Sequence, residues 1–319
     1  MKNILTPLFL LLSITLGFSQ ATEAEKKIQT ITKDSTDGWD KGGTFALNFT
    51  QVSLVNWAGG GQSSMSGNGL TSLFSRYKKG DIMWETYLDV AYGSIKQGKN
   101  ASWLKTDDKI DFTSKFGKSV VPNWYYALLV NFKTQMAPGF NNPNDGTKIS
   151  DLLAPGYFLG AIGMDFKPSK NFTAYVAPIT AKVTVVNDQD LADAGAFGVE
   201  KATYDDQGNQ LTDGLNSRTE FGGYIRFFGK REIMENVSLQ TKLDLFSNYR
   251  ENPENIDVNW EVLISMKVNK YISATISTNL VYDDDIDIGI DTNDDGANDT
   301  FGPRTQFKEV FGIGLSYKF

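Results

Sequence analysis

The sequence has no cysteine and no histidine. The first absence excludes disulfides, thiolate nucleophiles and Cys-ligated zinc or iron–sulfur centres. The second excludes imidazole metal ligation and Ser-His-Asp or Cys-His catalysis, and with them most familiar hydrolase mechanisms. Beyond residue 20 no apolar run reaches the about 18 residues of a bilayer-spanning helix, whereas strands remain able to span because each shows lipid only alternate side chains. Basic charge is also short: 31 Lys and Arg against 38 Asp and Glu leave a net charge of -7, which argues against a nucleic-acid partner.

What is present reads as an exported β protein. Lys2 precedes an apolar stretch, Ile4 to Phe18, and a small-x-small site at Gly17-Phe18-Ser19. That length suits a secretory signal core, so residues 1–19 are expected to be removed, with 20–41 a polar periplasmic lead and 42–319 the folded body. The aromatic share of 13% fits a barrel girdled by Trp, Tyr and Phe at both interfaces. At the other end of the chain Phe311, Ile313, Leu315, Tyr317 and Phe319 alternate with small or polar residues. This ending looks like the assembly signal of bacterial outer-membrane β-barrels.

Period-2 alternation predicts twelve strands, at 42–54, 68–78, 81–96, 105–118, 122–136, 156–167, 171–184, 218–229, 236–249, 256–268, 271–283 and 305–319. In the tenth, Val258, Trp260, Val262 and Ile264 oppose Asp257, Asn259, Glu261 and Ser265. Every second connection is short and the others are mostly long, with both termini on the short side. A soluble sandwich has no reason to sort its loops this way, whereas a closed antiparallel transmembrane β-barrel does. The short turns hold Lys78, Lys79, Lys118, Lys167, Lys170, Lys230, Arg231 and Lys270, while 187–217 carries seven acids against Lys201 and 283–304 carries eight aspartates against Arg304. The expected placement is the cell outer membrane, with long loops extracellular and termini periplasmic.

The segment Gly38-Trp39, Gly42-Gly43, Leu47-Asn48-Phe49, Gln51, Ser53-Leu54, Asn56-Trp57-Ala58-Gly59-Gly60, Ser64, Ser66, Asn68-Gly69-Leu70 and Tyr77-Lys78-Lys79-Gly80 resembles the uncharacterised Bacteroidota family called domain of unknown function 3078. The resemblance implies a barrel-like outer-membrane protein of a Gram-negative cell. The family has no established activity, so no catalytic residue is carried over.

Three constellations are candidates for function. Asn56 to Ser64 is rich in glycine but lacks the Gly-Lys-Ser/Thr of a phosphate loop, and reads as a tight rim loop anchored by Trp57 or as a ligand contact. Asp291, Asn293, Asp295 and Asp299, with Gly296 at the turn, have the alternate oxygen spacing of a calcium loop. Gly302 stands where an EF-hand places its bidentate Glu, so the alternatives are a weak extracellular calcium clip and a solvated acidic turn. Strand parity points Glu85, Asp89, Asp111, Lys115, Lys133, Glu220, Arg226, Lys242, Asp244, Glu261 and Lys267 into the lumen, as a narrow water path or a self-plugged interior. Glu85 and Asp89 also admit a glycosidase-like pair.

The leading expectation is a non-enzymatic outer-membrane barrel, porin-like with a narrow channel or a surface module. It needs no cofactor beyond weakly held calcium, and its partners are outer-membrane lipid and the barrel-assembly machinery. The alternatives are a structural or partner-binding barrel with an acidic calcium-binding loop, and a carboxylate-based hydrolase.

Overall fold

The computed structural model describes residues 37–54, 61–98, 101–140, 146–169, 171–267, 269, 272–290, 292 and 299–318. Residues 1–36 lie outside it, and with them the expected signal segment and most of the lead. Twelve strands form one antiparallel sheet: β1 (Gly38–Val52), β2 (Ser64–Lys79), β3 (Ile82–Gln97), β4 (Leu104–Val121), β5 (Trp124–Thr134), β8 (Gly156–Ser169), β9 (Phe172–Val185), β12 (Ser217–Met234), β13 (Val237–Asn248), β14 (Ile256–Lys267), β15 (Ile272–Tyr282) and β18 (Gln306–Lys318). Each pairs with the next, and β1 pairs with β18 from Thr44 opposite Lys318 to Leu47 opposite Leu315, which closes the sheet into a barrel.

The expected strand count is met, and most ends move by only a residue or two. The first strand begins at Gly38 rather than 42, which takes residues 38–41 out of the lead and sets Trp39 against Tyr77. β12 runs to Met234 rather than 229. At one end of the barrel, here the turn end, two-residue turns such as Gly80-Asp81 and Glu235-Asn236 join the strands. Gly80, Asn123 and Asn236 take φ of 54°, 70° and 61°, the left-handed conformation that Gly and Asn adopt most readily.

The opposite, loop end carries structure that the pattern did not predict. Small hairpins form from β6 (Gly139–Phe140) with β7 (Lys148–Ser150), β10 (Thr203–Tyr204) with β11 (Gln210–Thr212), and β16 (Asp287–Ile290) with β17 (Thr300–Pro303). Between β9 and β12 the chain also makes a short helix, α1 (Gln189–Asp193), capped by Asp188 accepting from Leu191 N. Among the described residues no helix is long and apolar enough to cross a membrane.

Burial follows the pleat. Along β13, Ser238, Gln240, Lys242, Asp244, Phe246 and Asn248 are buried toward the lumen while the intervening residues are less so. On β5, Tyr126, Leu128 and Val130 are exposed on the outer face while Ala127, Leu129 and Asn131 are buried on the inner one. A one-residue slip would exchange the two sets.

One strand interrupts this order. Pro178 in β9 has no N–H to give a neighbour, and β9 carries an extra residue there relative to both flanking strands. Opposite the bulge stand Gly163 on β8 and Gly223 on β12. A Cβ on Gly163 would collide with the Val176 carbonyl and the Ala177 backbone. Gly163→Ala should therefore cost about 1–3 kcal/mol, whereas Gly160→Ala on the same strand, where a Cβ meets nothing within 4 Å, should stay within about 0.5 kcal/mol. Urea titrations of the refolded variants check this, and equal costs would refute the bulge account.

Candidate functional site

The lumen is layered in tiers of ionised side chains. Nearest the turn end, Glu85 on β3 and Lys115 on β4 are direct cross-strand partners, 3.5 Å apart. Lys115 lies 2.6 Å from Asp165 on β8. Lys167, also on β8, reaches past β5 and β4 to Glu85 at 2.8 Å and holds Asp165 at 3.2 Å. Thr173 donates to Asp165, and the Tyr175 hydroxyl donates to the Ala161 and Ala127 carbonyls. The side chains of Glu85, Asp165 and Lys167 are only 2%, 1% and 2% exposed, so water does not surround them. Charges so far from solvent persist because each has opposite partners within ion-pair reach.

In the middle tier Arg226 clamps Asp244 with two hydrogen bonds, Nε to Oδ1 at 2.6 Å and Nη2 to Oδ2 at 2.9 Å, and the Tyr224 hydroxyl donates to the same carboxylate. Lys242 pairs with Glu261 at 2.7 Å. Asp111 accepts from Asn131 at 2.7 Å and stands 3.9 and 3.8 Å from Lys109 and Lys133. Between this tier and the one below is a cavity of about 90 Å³ lined from both walls, by Glu85, Asp89, Asp111 and Lys115 on one side and Arg226 and Lys242 on the other. That is room for several waters. Glu85 in the cavity wall is held by Lys115 and Lys167.

Toward the loop end the lumen widens to a chamber of about 510 Å³. Lys109 and Lys133 face inward yet remain 37% and 28% exposed, so the chamber holds solvent. Lys182 on β9 crosses its mouth to Asp257 at 2.8 Å and Asp283 at 3.5 Å, with Glu220 at 3.3 Å. Arg218 joins Asp285 and donates to the Gly198 carbonyl. Carboxylates of Asp257, Asp283 and Asp285 converge closely enough to share a cation; the cations they hold are the Lys182 ammonium and the Arg218 guanidinium.

The segment between β9 and β12 lies over this mouth. Leu191, Ala192 and Val199 pack with Ala154 and Val186, and Phe197 and Ala196 pack against them. Phe197 also lines a cavity with Lys105, Asp107 and Asp108 of β4 and Lys308 of β18, across the barrel from the strands its segment connects. The segment is tied down through Asp188, which pairs with Lys148. That ammonium holds the Asp188 and Asp151 carboxyls below the usual carboxylate range.

Of the inward set, Glu85, Asp89, Asp111, Lys115, Lys133, Glu220, Arg226, Lys242, Asp244 and Glu261 meet in the lumen as expected. Lys267 does not join them: it ends β14, exposed at the turn-end rim. Asp165, Lys167, Lys182 and Asp257 are further lumen residues that strand parity did not single out, and Lys167 is no turn residue because β8 continues to Ser169. Asp291, Asn293 and Asp295 lie outside the described residues, as does the 55–60 loop with Trp57; Asp299 accepts from the Thr292 N–H and hydroxyl. Phe311, Ile313, Leu315 and Tyr317 fall on β18, with Leu315 opposite Leu47 and Tyr317 opposite Phe45, while Phe319 is outside the described residues.

Residues 49–140, from within β1 to the end of β6, match the model of a family described as protein of unknown function (DUF3078), the family that the sequence resembles. No curated protein matches the chain. Among solved structures it is similar to the translocator domain of autotransporter NalP from Neisseria meningitidis, at 9% identity and a TM-score of 0.35, over 92% of this chain and 93% of that one. It is also similar to an outer membrane channel from Pseudomonas putida F1, at 10% identity and a TM-score of 0.39, over 91% and 99%. Both likenesses are remote, and the architecture rests on this chain's own strand pairing.

The buried tier should respond to truncation as a unit. Lys167→Ala leaves Glu85 and Asp165 short of a cation and should destabilise the fold by about 3–5 kcal/mol. Lys308→Ala breaks a pair with Asp107 at 3.7 Å whose lysine is 56% exposed, and should cost at most about 1 kcal/mol. Chemical denaturation compares the two; similar values would mean that the lumen tier is solvated.

Proposed function

We propose that this protein is an outer-membrane barrel, exported by its N-terminal segment, with loops outside and turns in the periplasm. In this reading the turn-end tier blocks flow and the chamber above it is an outward-facing binding compartment. The observation that carries the proposal is the near-total burial of Glu85, Asp165 and Lys167 beneath a chamber whose lysines are solvated. A membrane location is supported by the outer face. Phe45, Leu47, Phe49, Leu128, Ile162 and Ile179 are all exposed there, far more apolar surface than a soluble monomer shows. Trp39, Trp84 and Trp124 cluster near the turn end as an interfacial girdle. A porin-like channel, the first expectation from sequence, needs a continuous water path, and the packed tier stands in its way. The compartment performs no chemistry in this reading and requires no cofactor, since its acids are committed to lysine and arginine; its partners are lipid, the assembly machinery and the bound molecule.

Bilayer recordings of the refolded chain should show no steady conductance, and Glu85→Ala with Lys167→Ala should introduce a leak. Steady current through the native chain would overturn the blocked lumen. Because the chain lacks cysteine, single thiols report access: a membrane-impermeant maleimide added to intact cells should label Lys109→Cys in the chamber and spare Ser265→Cys in the buried lower lumen. Equal labelling would remove the compartment. For the membrane-facing surface, Leu128→Arg near the middle of β5 should cost about 2–4 kcal/mol in refolding titrations into bilayers; a negligible cost would place that face in water.

A further inference from the structure

The two acid-rich loops, 187–217 and 283–304, meet in a groove of about 1040 Å³ beside the chamber mouth. One wall is the covering segment, where the Leu215 N–H donates to the Glu200 carbonyl at 2.8 Å and sets the two residues side by side. The other wall is the β16–β17 hairpin. There Asp287 stands opposite Pro303 and Gly289 opposite Phe301, so Asp287 and Phe301 share one face of the hairpin. Each wall thus offers one exposed apolar side chain, Leu215 or Phe301, near one exposed carboxylate, Glu200 or Asp287.

Four carboxylates line the groove against two basic side chains. Arg218 is committed to Asp285 and Glu220, and Glu251 has only that same guanidinium, at 3.9 Å. Lys201 is exposed next to Glu200 in the chain. Among the described residues neither Glu200 nor Asp287 makes an ion pair or a side-chain hydrogen bond. The surplus of acid at the loop end draws cationic groups toward these walls. Glu200, Glu251 and Asp287 do not converge as metal ligands would; among the described residues only Asp257, Asp283 and Asp285 do so. The space also reaches the upper end of the range of about 300–1,000 Å³ usual for small-molecule sites. An extended peptide suits two walls of like character, because its successive side chains point to opposite sides.

We propose that this groove docks an extended polypeptide segment in which basic residues neighbour apolar ones. Its ammonium groups meet Glu200 and Asp287, and its apolar side chains cover Leu215 and Phe301. The groove lies outside the chamber, so the inference goes beyond the compartment reading, which the labelling of Lys109→Cys decides separately.

Titration calorimetry on the full chain in non-ionic detergent tests the groove, with the acetylated and amidated peptide Gly-Leu-Lys-Lys-Leu-Gly as probe and a micelle blank. The peptide should bind, and versions with Glu for Lys or Ser for Leu should bind at least about tenfold more weakly. Glu200→Gln with Asp287→Asn, and separately Phe301→Ala, each checked for native folding, should weaken the basic peptide at least about tenfold. Glu254→Gln with Asp206→Asn removes two exposed charges outside the groove and should change the affinity less than about twofold. An equal loss in the two paired variants would reduce the effect to the general field of the loops and overturn the site. Equal binding of the basic and acidic peptides, native affinity in the groove variants, or no heat up to roughly 1 mM peptide would overturn it as well.

Discussion

A sheet closed on itself has no free edge, so its main-chain groups are paired around the ring and its side chains must alternate between a wide outer face and one narrow interior. Everything polar that the strands carry inward shares that space, and an unpaired charge there is expensive. The register answers this demand strand by strand. It sets Glu85 opposite Lys115, Asp111 opposite Lys133, Arg226 opposite Asp244 and Lys242 opposite Glu261. Opposite charges on neighbouring strands favour one alignment, and a slip by one residue would turn each pair out toward the apolar face.

Pairs between neighbouring strands do not by themselves fill a lumen; longer reaches do. Lys167 spans from β8 to β3, and Lys182 from β9 to β14. Both start near the bulge at Pro178, one on the bulged strand and the other on its neighbour. The same region places the Tyr175 hydroxyl on the Ala161 carbonyl and the Thr180 hydroxyl on that of Ala177, so backbone acceptors near the irregularity remain satisfied. Disorder in the ladder is thus absorbed locally, and the lysines on either side of it bridge the barrel above and below.

Strand number, connection lengths and the inside-outside parity were legible in the sequence because each rests on local period-2 alternation. Glu261 and Trp260 sort to opposite faces on the evidence of their own strand. Partnerships across the ring were not legible, since Glu85 and Lys167 are brought together only by closure and lie on strands separated by two others. Lys167 was hidden for a local reason as well: Pro168 follows it and reads as a turn, yet β8 continues past it. The bulge had a signal in Pro178 with Gly163 and Gly222-Gly223 on its two neighbours, but that signal depends on knowing which strands are adjacent. The helix and hairpin between β9 and β12 follow no barrel periodicity; only Asp188, placed as a helix cap before Leu191, marks them in the sequence.

The two closures of the lumen differ in how much must be undone to open them. At the turn end Lys167 is 2% exposed and its partners no more so, so separating them leaves bare charges in a medium of low dielectric. At the loop end Arg218 and Lys182 are 17% and 15% exposed and their carboxylates stand beside the chamber water, so a broken pair there is rehydrated at once and screened by salt. The covering segment is held by few buried apolar residues, by the surface pair of Lys148 with Asp188, and by a Phe197 whose φ of 59° is unfavourable for a side chain with a Cβ. Low local stability of this kind is where a fold opens first. The loop-end closure is therefore the weaker of the two, while the lysine and carboxylates at the turn end keep the floor in place.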